Sequence, residues 1–254
     1  MGSALASAAQ RAGAEVFIYD KDIKKANEVA EKIGAVFAET DEILKCDYIF
    51  LAVKPNIVPI VCGEIGQKLW DGVLVSMAAG VSIWNLEVAL DPDRVGCTKK
   101  IIRIMPNTPV LCGKGMTVFA INERVTKEEK QGFINLMSES GRLDEIPEGQ
   151  IDAASAVSGC GPAFVYMFIE ALADGGVECG LSREQALRFA CETVKGAAET
   201  VLFTGAHPEA LKDAVCSPGG TTISGVHALE EGAFRATSAN AVLAAYKKTL
   251  SLKK

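Results

Sequence analysis

Residues 1–20, MGSALASAAQRAGAEVFIYD, decide the fold. A run rich in small residues forms a helix, and an apolar stretch closing on Asp20 forms a strand. A nucleotide-binding α/β fold opens with a buried strand, a glycine-rich G-x-G-x-x-G turn and then a helix. Here a single glycine, Gly2, precedes the helix, so the stretch matches the later part of such a unit. Backbone N–H groups at the start of that helix would face a phosphate, and Gly2 would let the backbone come close to it. Asp20 lies 18 residues beyond Gly2, at the strand end where a carboxylate meets an adenosine ribose. Taken alone, a generic helix followed by a strand-ending Asp fits these residues equally well.

Working outward, strand and helix patterns alternate. KKANEVAEKIG reads as a helix stopped at Gly34, AVFA as a short strand, and CDYIFLAVKP and GVLVSMAAGV as strands buried on both faces. KIIRIMPNTP, GMTVFAIN and RLDEIP supply further strands, with a helix between the last two opened by a capping box, Thr126 with Glu129. This alternation predicts a parallel sheet wound with helices. From Gln150 onward only helical patterns occur. GPAFVYMFIEALADGGVECGL is apolar almost all round and reads as a buried helix. SREQALRFACETVKGAAETVLF starts with a second capping box, Ser182 with Gln185, and keeps Leu187, Ala190, Val194, Ala197 and Val201 at helical spacing. PEALKDAVC and NAVLAAYKKTL are further helices. The boundary falls at 148, giving a nucleotide-binding domain of residues 1–148 and a helical domain of residues 149–254. The helical half has more apolar surface than a monomer can hide, which predicts a dimer built through it.

The net charge of −6 argues against a protein whose main task is gripping nucleic acid. No continuous apolar run reaches the roughly 18 residues of a membrane span, and no basic-led signal peptide is visible. A soluble, cytoplasmic protein is expected. The eight cysteines include no C-x-x-C, and with only two histidines no metal constellation stands out, so the thiols are read as reduced and no metal is expected.

Five further stretches bear on the chemistry. Ala52, Val53, Lys54 and Pro55 end one long strand, and Ala78, Ala79 and Gly80 end the next. Ligands of open α/β sheets bind at such carboxyl ends. MPNTP ends another strand, and its two prolines stiffen the backbone around Asn107 and Thr108, which suits positioning of a cofactor ring. SPGGTT, Ser217–Thr222, lies between two helices: Pro218 stops the first, Gly219 and Gly220 leave free N–H groups, and Thr221 or Thr222 caps the second. That is a compact anion nest with hydroxyls beside it. In AVSGCGPAF, Gly159 and Gly161 fit close approach of a helix or of a ligand.

RIMPNTP, AVSGCGPAFVYMFIEALADGGV and above all PEALKDAVCSPGGTTISGVHALEEG resemble pyrroline-5-carboxylate reductase, and the likeness runs from Met1 to about Lys248. The resemblance implies a Rossmann domain, a helical dimerisation domain, and hydride transfer from NADPH or NADH to the C=N bond of 1-pyrroline-5-carboxylate. It implies homodimers, assembled in many relatives into homodecamers. It takes the N–H groups of Gly219, Gly220 and Thr221 for the substrate carboxylate, Thr222 for the ring nitrogen and Ser217 to brace the loop, with the cofactor supplied by the other subunit. In the family, a strand and a pattern like G-x-G-N-M-G lead into MGSALA. This sequence starts at the methionine, and the expectation is that the 254-residue chain alone binds cofactor poorly. Ala214 stands where some relatives carry Asn. Asp20 favours NADH, whereas Lys21, Lys24 and Lys25 favour a 2′-phosphate and NADPH. Two other readings compete. A hydroxyacid dehydrogenase would carry a lysine on the helix 162–177, which has none; Lys195 lies on the next. A non-catalytic oligomerising subunit would follow if the incomplete turn bound no nucleotide.

Overall fold

The computed structural model describes residues 1–68, 71–91 and 98–252, and Cys97 lies outside them. Seven strands and twelve α-helices are described: α1 (Gly2–Arg11), β1 (Phe17–Ile18), α2 (Ile23–Ile33), β2 (Val36–Phe37), α3 (Thr40–Ile43), β3 (Tyr48–Leu51), α4 (Val58–Gly66), β4 (Val73–Ser76), α5 (Ile83–Leu90), β5 (Lys100–Met105), β6 (Gly115–Ile121), α6 (Lys127–Leu136), β7 (Gly141–Glu145), α7 (Ile151–Ala154), α8 (Gly161–Glu178), α9 (Arg183–Thr204), α10 (Pro208–Ala214), α11 (Thr221–Glu231) and α12 (Phe234–Leu252). They fall into two compact units. One is Met1–Cys160 with the residues from Ala245 onward; the other is Gly161–Ala244.

In the first unit five strands form one sheet in the order β3-β4-β5-β6-β7. β3, β4 and β5 run parallel, as the alternation predicts, but β6 is antiparallel to β5. The reason is the connection: residues 106–114 hold only a 3-10 turn, Thr108–Cys112, and a parallel return needs a crossover of a dozen residues or more. β1 and β2 pair in parallel with each other, through Phe17 with Val36 and Ile18 with Phe37. β3 has β4 on one side and, among the described residues, no strand on the other. The ladder of β1 and β2, two residue pairs long, is shorter than the apolar runs that encode it.

Alternation along the central strands divides the core between the two sheet faces. Val73 and Val75 on β4 and Ile102 and Ile104 on β5 join Leu5 and Ala8 of α1 with Phe133 of α6. Leu74 and Ile101 join Cys62 of α4 and Leu86 of α5 on the opposite face. Helix ends follow local chemistry. The Asp22 carboxylate accepts the Lys25 N–H at 3.1 Å to start α2, and Gly34, at φ 73°, ends it. Both expected capping boxes are present, at the starts of α6 and α9.

The second unit is helical, with α9 laid along α8. The expectation that α8 is buried is corrected within the single chain: its one buried residue is Ala173, which meets Ala186 and Ala190 of α9. Tyr166 and Met167 on α8 are exposed. A seam of small residues lets two helices approach closely, but it occupies one face and leaves the large side chains on the others. Leu187 in the α9 stripe is likewise exposed. By length and composition the helical run Glu148–Glu178 is apolar enough to cross a membrane. A count of uninterrupted apolar residues misses this because glycines, alanines and a few polar positions break the run.

Candidate active site

The candidate cofactor residues collect at one rim of the sheet. Leu51 pairs with Ser76 and Ser76 with Arg103, so the chain leaves β3 and β4 at the same level. Ala52, Val53, Lys54 and Pro55 follow β3, with Pro55 opening a 3-10 turn. Ala78, Ala79 and Gly80 follow β4, where the Val81 N–H closes a turn onto the Ala78 carbonyl at 3.3 Å. Gly2 begins α1 beside them: a Cβ built on it would stand 2.8 Å from the Ala52 Cβ. Only glycine lets the start of α1 come this near the end of β3. The N–H groups of Gly2 and Ser3 have no partner among the described residues, and the first bond of α1 is Ala4 N–H to the Met1 carbonyl. This is the cradle a phosphate requires: free donors at a helix start and room where a Cβ would intrude. Asp20 is half-buried past β1, accepts the Asp22 N–H at 3.0 Å, and has the Lys25 Nζ 3.9 Å away.

Asn107 follows β5 but points inward. Its Nδ2 donates to the Ser158 carbonyl at 3.0 Å and its Oδ1 accepts the Met116 N–H at 2.9 Å. It therefore ties the β5–β6 connection to the π-helical turn Ser155–Gly159, which accounts for the stiffness expected of MPNTP.

Arg103 is a further buried residue beside this rim. It is 2% exposed on β5, and its guanidinium meets Asp152 at 2.9 Å and Glu148 at 3.1 Å. The same Glu148 oxygen accepts the Ile83 N–H at 2.7 Å. The group thus fastens the start of α5, just past the Ala78–Gly80 turn, to β5 and α7. Breaking such a buried pair from one side leaves an unpaired charge. An arginine inside the apolar run KIIRIM was the available signal. A cavity of about 670 Å³ bordered by Trp84, Glu87 and Asn122 shares no lining residue with the rim.

In the second unit, the Ser217–Thr222 turn joins α10 to α11. Pro218 and Gly219 are exposed, and Gly219 sits at φ 69°. Two details differ from expectation. The Gly220 N–H is not free but bonds the Ser217 carbonyl at 3.0 Å, and the cap of α11 is Gly220 itself, with no side-chain cap from Thr221 or Thr222. A Cβ on Gly220 would lie 2.4 Å from the Ser217 Oγ and 3.1 Å from the Ser217 carbonyl oxygen, so a side chain there would displace Ser217. Among the described residues the N–H groups of Gly219, Thr221 and Thr222 remain unpaired, as the first donors of a helix must.

A helix start with free N–H groups at the rim of an α/β unit, and a glycine turn with unpaired N–H groups in a helical unit, fit an NAD(P)-dependent oxidoreductase. The chain is 43% identical to the pyrroline-5-carboxylate reductase of Escherichia coli K12 over 243 residues, 94% of this chain and 88% of that one. It is 43% identical to the Arabidopsis thaliana enzyme over 228 residues, 89% of this chain and 80% of that one. The chain belongs to the pyrroline-5-carboxylate reductase family. Residues 148–252 match the family described as pyrroline-5-carboxylate reductase dimerisation, and residues 1–80 match that described as NADP oxidoreductase, coenzyme F420-dependent. Among solved structures it is similar to Plasmodium falciparum pyrroline carboxylate reductase with NADP bound, with a TM-score of 0.87 and 36% identity over 100% of this chain and 95% of that one. It is also similar to the Streptococcus pyogenes enzyme, with a TM-score of 0.88 and 31% identity over 99% and 95%. The part matched by the dimerisation family contains the helical unit with its exposed apolar side chains.

Proposed function

We propose that the chain reduces 1-pyrroline-5-carboxylate to L-proline with NADPH as the hydride donor and that it works as a homodimer. The observation that carries the reading is 43% identity across 94% of the chain to a pyrroline-5-carboxylate reductase. The functional boundary is placed at 148/149, with cofactor binding before it and dimerisation and substrate binding after it.

The nicotinamide supplies a hydride to the imine carbon, and a proton on the nitrogen completes the secondary amine. Much of the chain's task is then positional. Gly2, Ala52–Pro55 and Ala78–Gly80 form the rim for the dinucleotide, and the free N–H groups of Gly2 and Ser3 face its phosphate. Asp20 takes the ribose edge, and Lys24 and Lys25 lie on the following helix for a 2′-phosphate. Asn107 holds the rim in place from beneath. In the substrate turn, the unpaired N–H groups of Gly219 and Thr221 take the carboxylate, while Gly220 spends its N–H on the turn. The Thr222 hydroxyl is the hydrogen-bonding partner of the ring nitrogen, and Ser217 braces Gly220. Removing the substrate's charge from water against fixed donors favours the bound geometry without side-chain chemistry.

Assembly of dimers into decamers is part of the proposal and rests on the family resemblance. A cytoplasmic setting rests on the acidic charge and on the seven described cysteines, all of them free thiols. The test is oxidation of NADPH followed by absorbance with 1-pyrroline-5-carboxylate, together with detection of proline. Stoichiometric proline supports the reading; substrate-independent oxidation, or none at any cofactor concentration, refutes it.

A further inference from the structure

We propose that Arg235 is a positioning residue for the Ser217–Thr222 turn, its guanidinium fastening together the far ends of the two helices that flank it. The inference rests on the reading of that turn as the substrate site. α10 leads into the turn and α11 leads out of it. Glu209 is the second residue of α10 and Glu230 the last but one of α11, so both lie at the ends remote from the turn. Arg235, near the start of α12, reaches both. Its Nη1 donates to the Glu209 carboxylate, and its Nε donates to Glu230 Oε1 at 2.5 Å. Lys212 takes the other oxygen of Glu209 at 2.8 Å.

Little else fixes these two helices to each other. Neither α10 nor α11 has a buried residue in the chain. The turn's own bonds, Cys216 N–H to Asp213 and Gly220 N–H to Ser217, each 3.0 Å, are local and leave the angle between the helices free. That angle decides where the first N–H groups of α11 stand relative to Ser217, because a helix moves as a rigid rod about its end. A planar guanidinium bonding two carboxylates at once sets the angle in a way a single ammonium does not. The backbone is shaped for this reach. Ala233, between α11 and α12, has φ 52° and is the one described non-glycine residue in the left-handed region. Its N–H bonds the Glu230 carbonyl at 2.9 Å, turning the chain back so that Arg235 faces the helix just left. The bond from Arg235, with Lys212 second, holds the Glu209 carboxyl down at about 2, so the clamp is charged at every working pH.

The experiment is steady-state kinetics and sedimentation of the full chain carrying Arg235→Ala, Arg235→Lys, Glu209→Gln or Thr222→Ala. A turn displaced by a fraction of an ångström should raise the KM for 1-pyrroline-5-carboxylate about tenfold in Arg235→Ala. The KM for NADPH and the dimer should be unchanged. Glu209→Gln should shift the same parameter less, Arg235→Lys should recover only part of the loss, and Arg235→Ala combined with Glu209→Gln should be no worse than Arg235→Ala alone. Equal losses toward both substrates, or dissociation, would mean a general structural role and overturn the proposal. If Arg235→Ala does not fold, Glu209→Gln decides, and an unchanged substrate KM there overturns it. Wild-type kinetics in Thr222→Ala would refute the substrate turn and this inference with it. An impaired Thr222→Ala beside unimpaired Arg235→Ala and Glu209→Gln would refute the role of Arg235 alone.

Discussion

Phe133 on α6 is fully enclosed, edge-on to Phe119 with ring centroids 5.3 Å apart, whereas Phe203 near the end of α9 is 92% exposed. The contrast holds across the two units. The sheet unit closes two apolar clusters with its own helices, down to Leu74, Ile101 and Phe119 at almost no exposure. The helical unit closes one, built on three alanines with Ile169 and Val177 beside them. One unit completes its core within a chain; the other keeps its large apolar side chains for a second chain. Stability of the first is therefore a property of the monomer, and stability of the second depends on concentration.

The sharpest break comes from making the same substitution in both places. Phe133→Ala should cost about 3–5 kcal/mol at any protein concentration, because it opens a cavity in a closed core. Phe203→Ala should lower the melting temperature mainly at low concentration, where dimers dissociate. Thermal unfolding across a hundredfold dilution series separates the two, and a concentration-independent loss at Phe203 would contradict the division. Next, Thr222→Ala should lower kcat/KM for the imine by the worth of a hydrogen bond to a charged ligand, about 1.5–3 kcal/mol. Cofactor affinity, seated in the other unit, should not move; a matching loss of NADPH affinity in titration would show that the units do not divide the work. Smaller still, the two capping boxes offer equal chemistry in unequal settings. Thr126→Ala and Ser182→Ala should each cost about 1 kcal/mol, with only the second showing a concentration-dependent melting temperature.

The smallest effect concerns pH. The Glu209 carboxyl is held down at about 2, chiefly by Arg235 and then by Lys212. A depressed carboxylate contributes its stability fully above its unfolded value, near 4.5, and loses it as pH falls toward 2. The substrate KM effect of Arg235→Ala should accordingly stay constant from about pH 6 to 9. A steady drift within that window, in a pH series of the variant against the parent chain, would show that another titrating group governs the turn.

What the sequence made legible was local. Gly34 stopping α2 and the Thr126 and Ser182 boxes depend on neighbours within a few positions, and they stand as read; the Ser217–Thr222 turn stands as a turn, but Gly220 rather than a threonine caps α11 and its N–H is bonded to Ser217. The reversal of β6 was missed because alternation of patterns was weighed above the length of the 106–114 connection. That the helical half has more apolar surface than one chain can hide was legible from its composition; which faces of α8 stay exposed was not, because apolarity all round does not say which neighbour covers which face. Gly2 was readable as a close approach, but its neighbour Ala52 was not, since that contact spans the first turn of one element and the end of another. Asn107 follows β5 as the strand pattern implies, yet both its partners, Ser158 and Met116, come from other parts of the chain. The partners of Arg103 and Arg235 were unreadable for the same reason: Glu148, Asp152 and Glu209 lie far from them in the sequence.

The central claim, that the apolar faces of the helical unit are closed by a second copy, is tested most directly by sedimentation equilibrium of the full chain beside Met167→Glu. Met167 is 71% exposed on α8, so a glutamate there is harmless to a lone chain but places a charge in a covered apolar face. The account predicts a dimer or a multiple of dimers for the parent chain at micromolar concentration, and folded monomers, with little activity, for the variant. A parent chain that sediments as a stable, soluble monomer, or a variant that assembles as tightly as the parent, would contradict it.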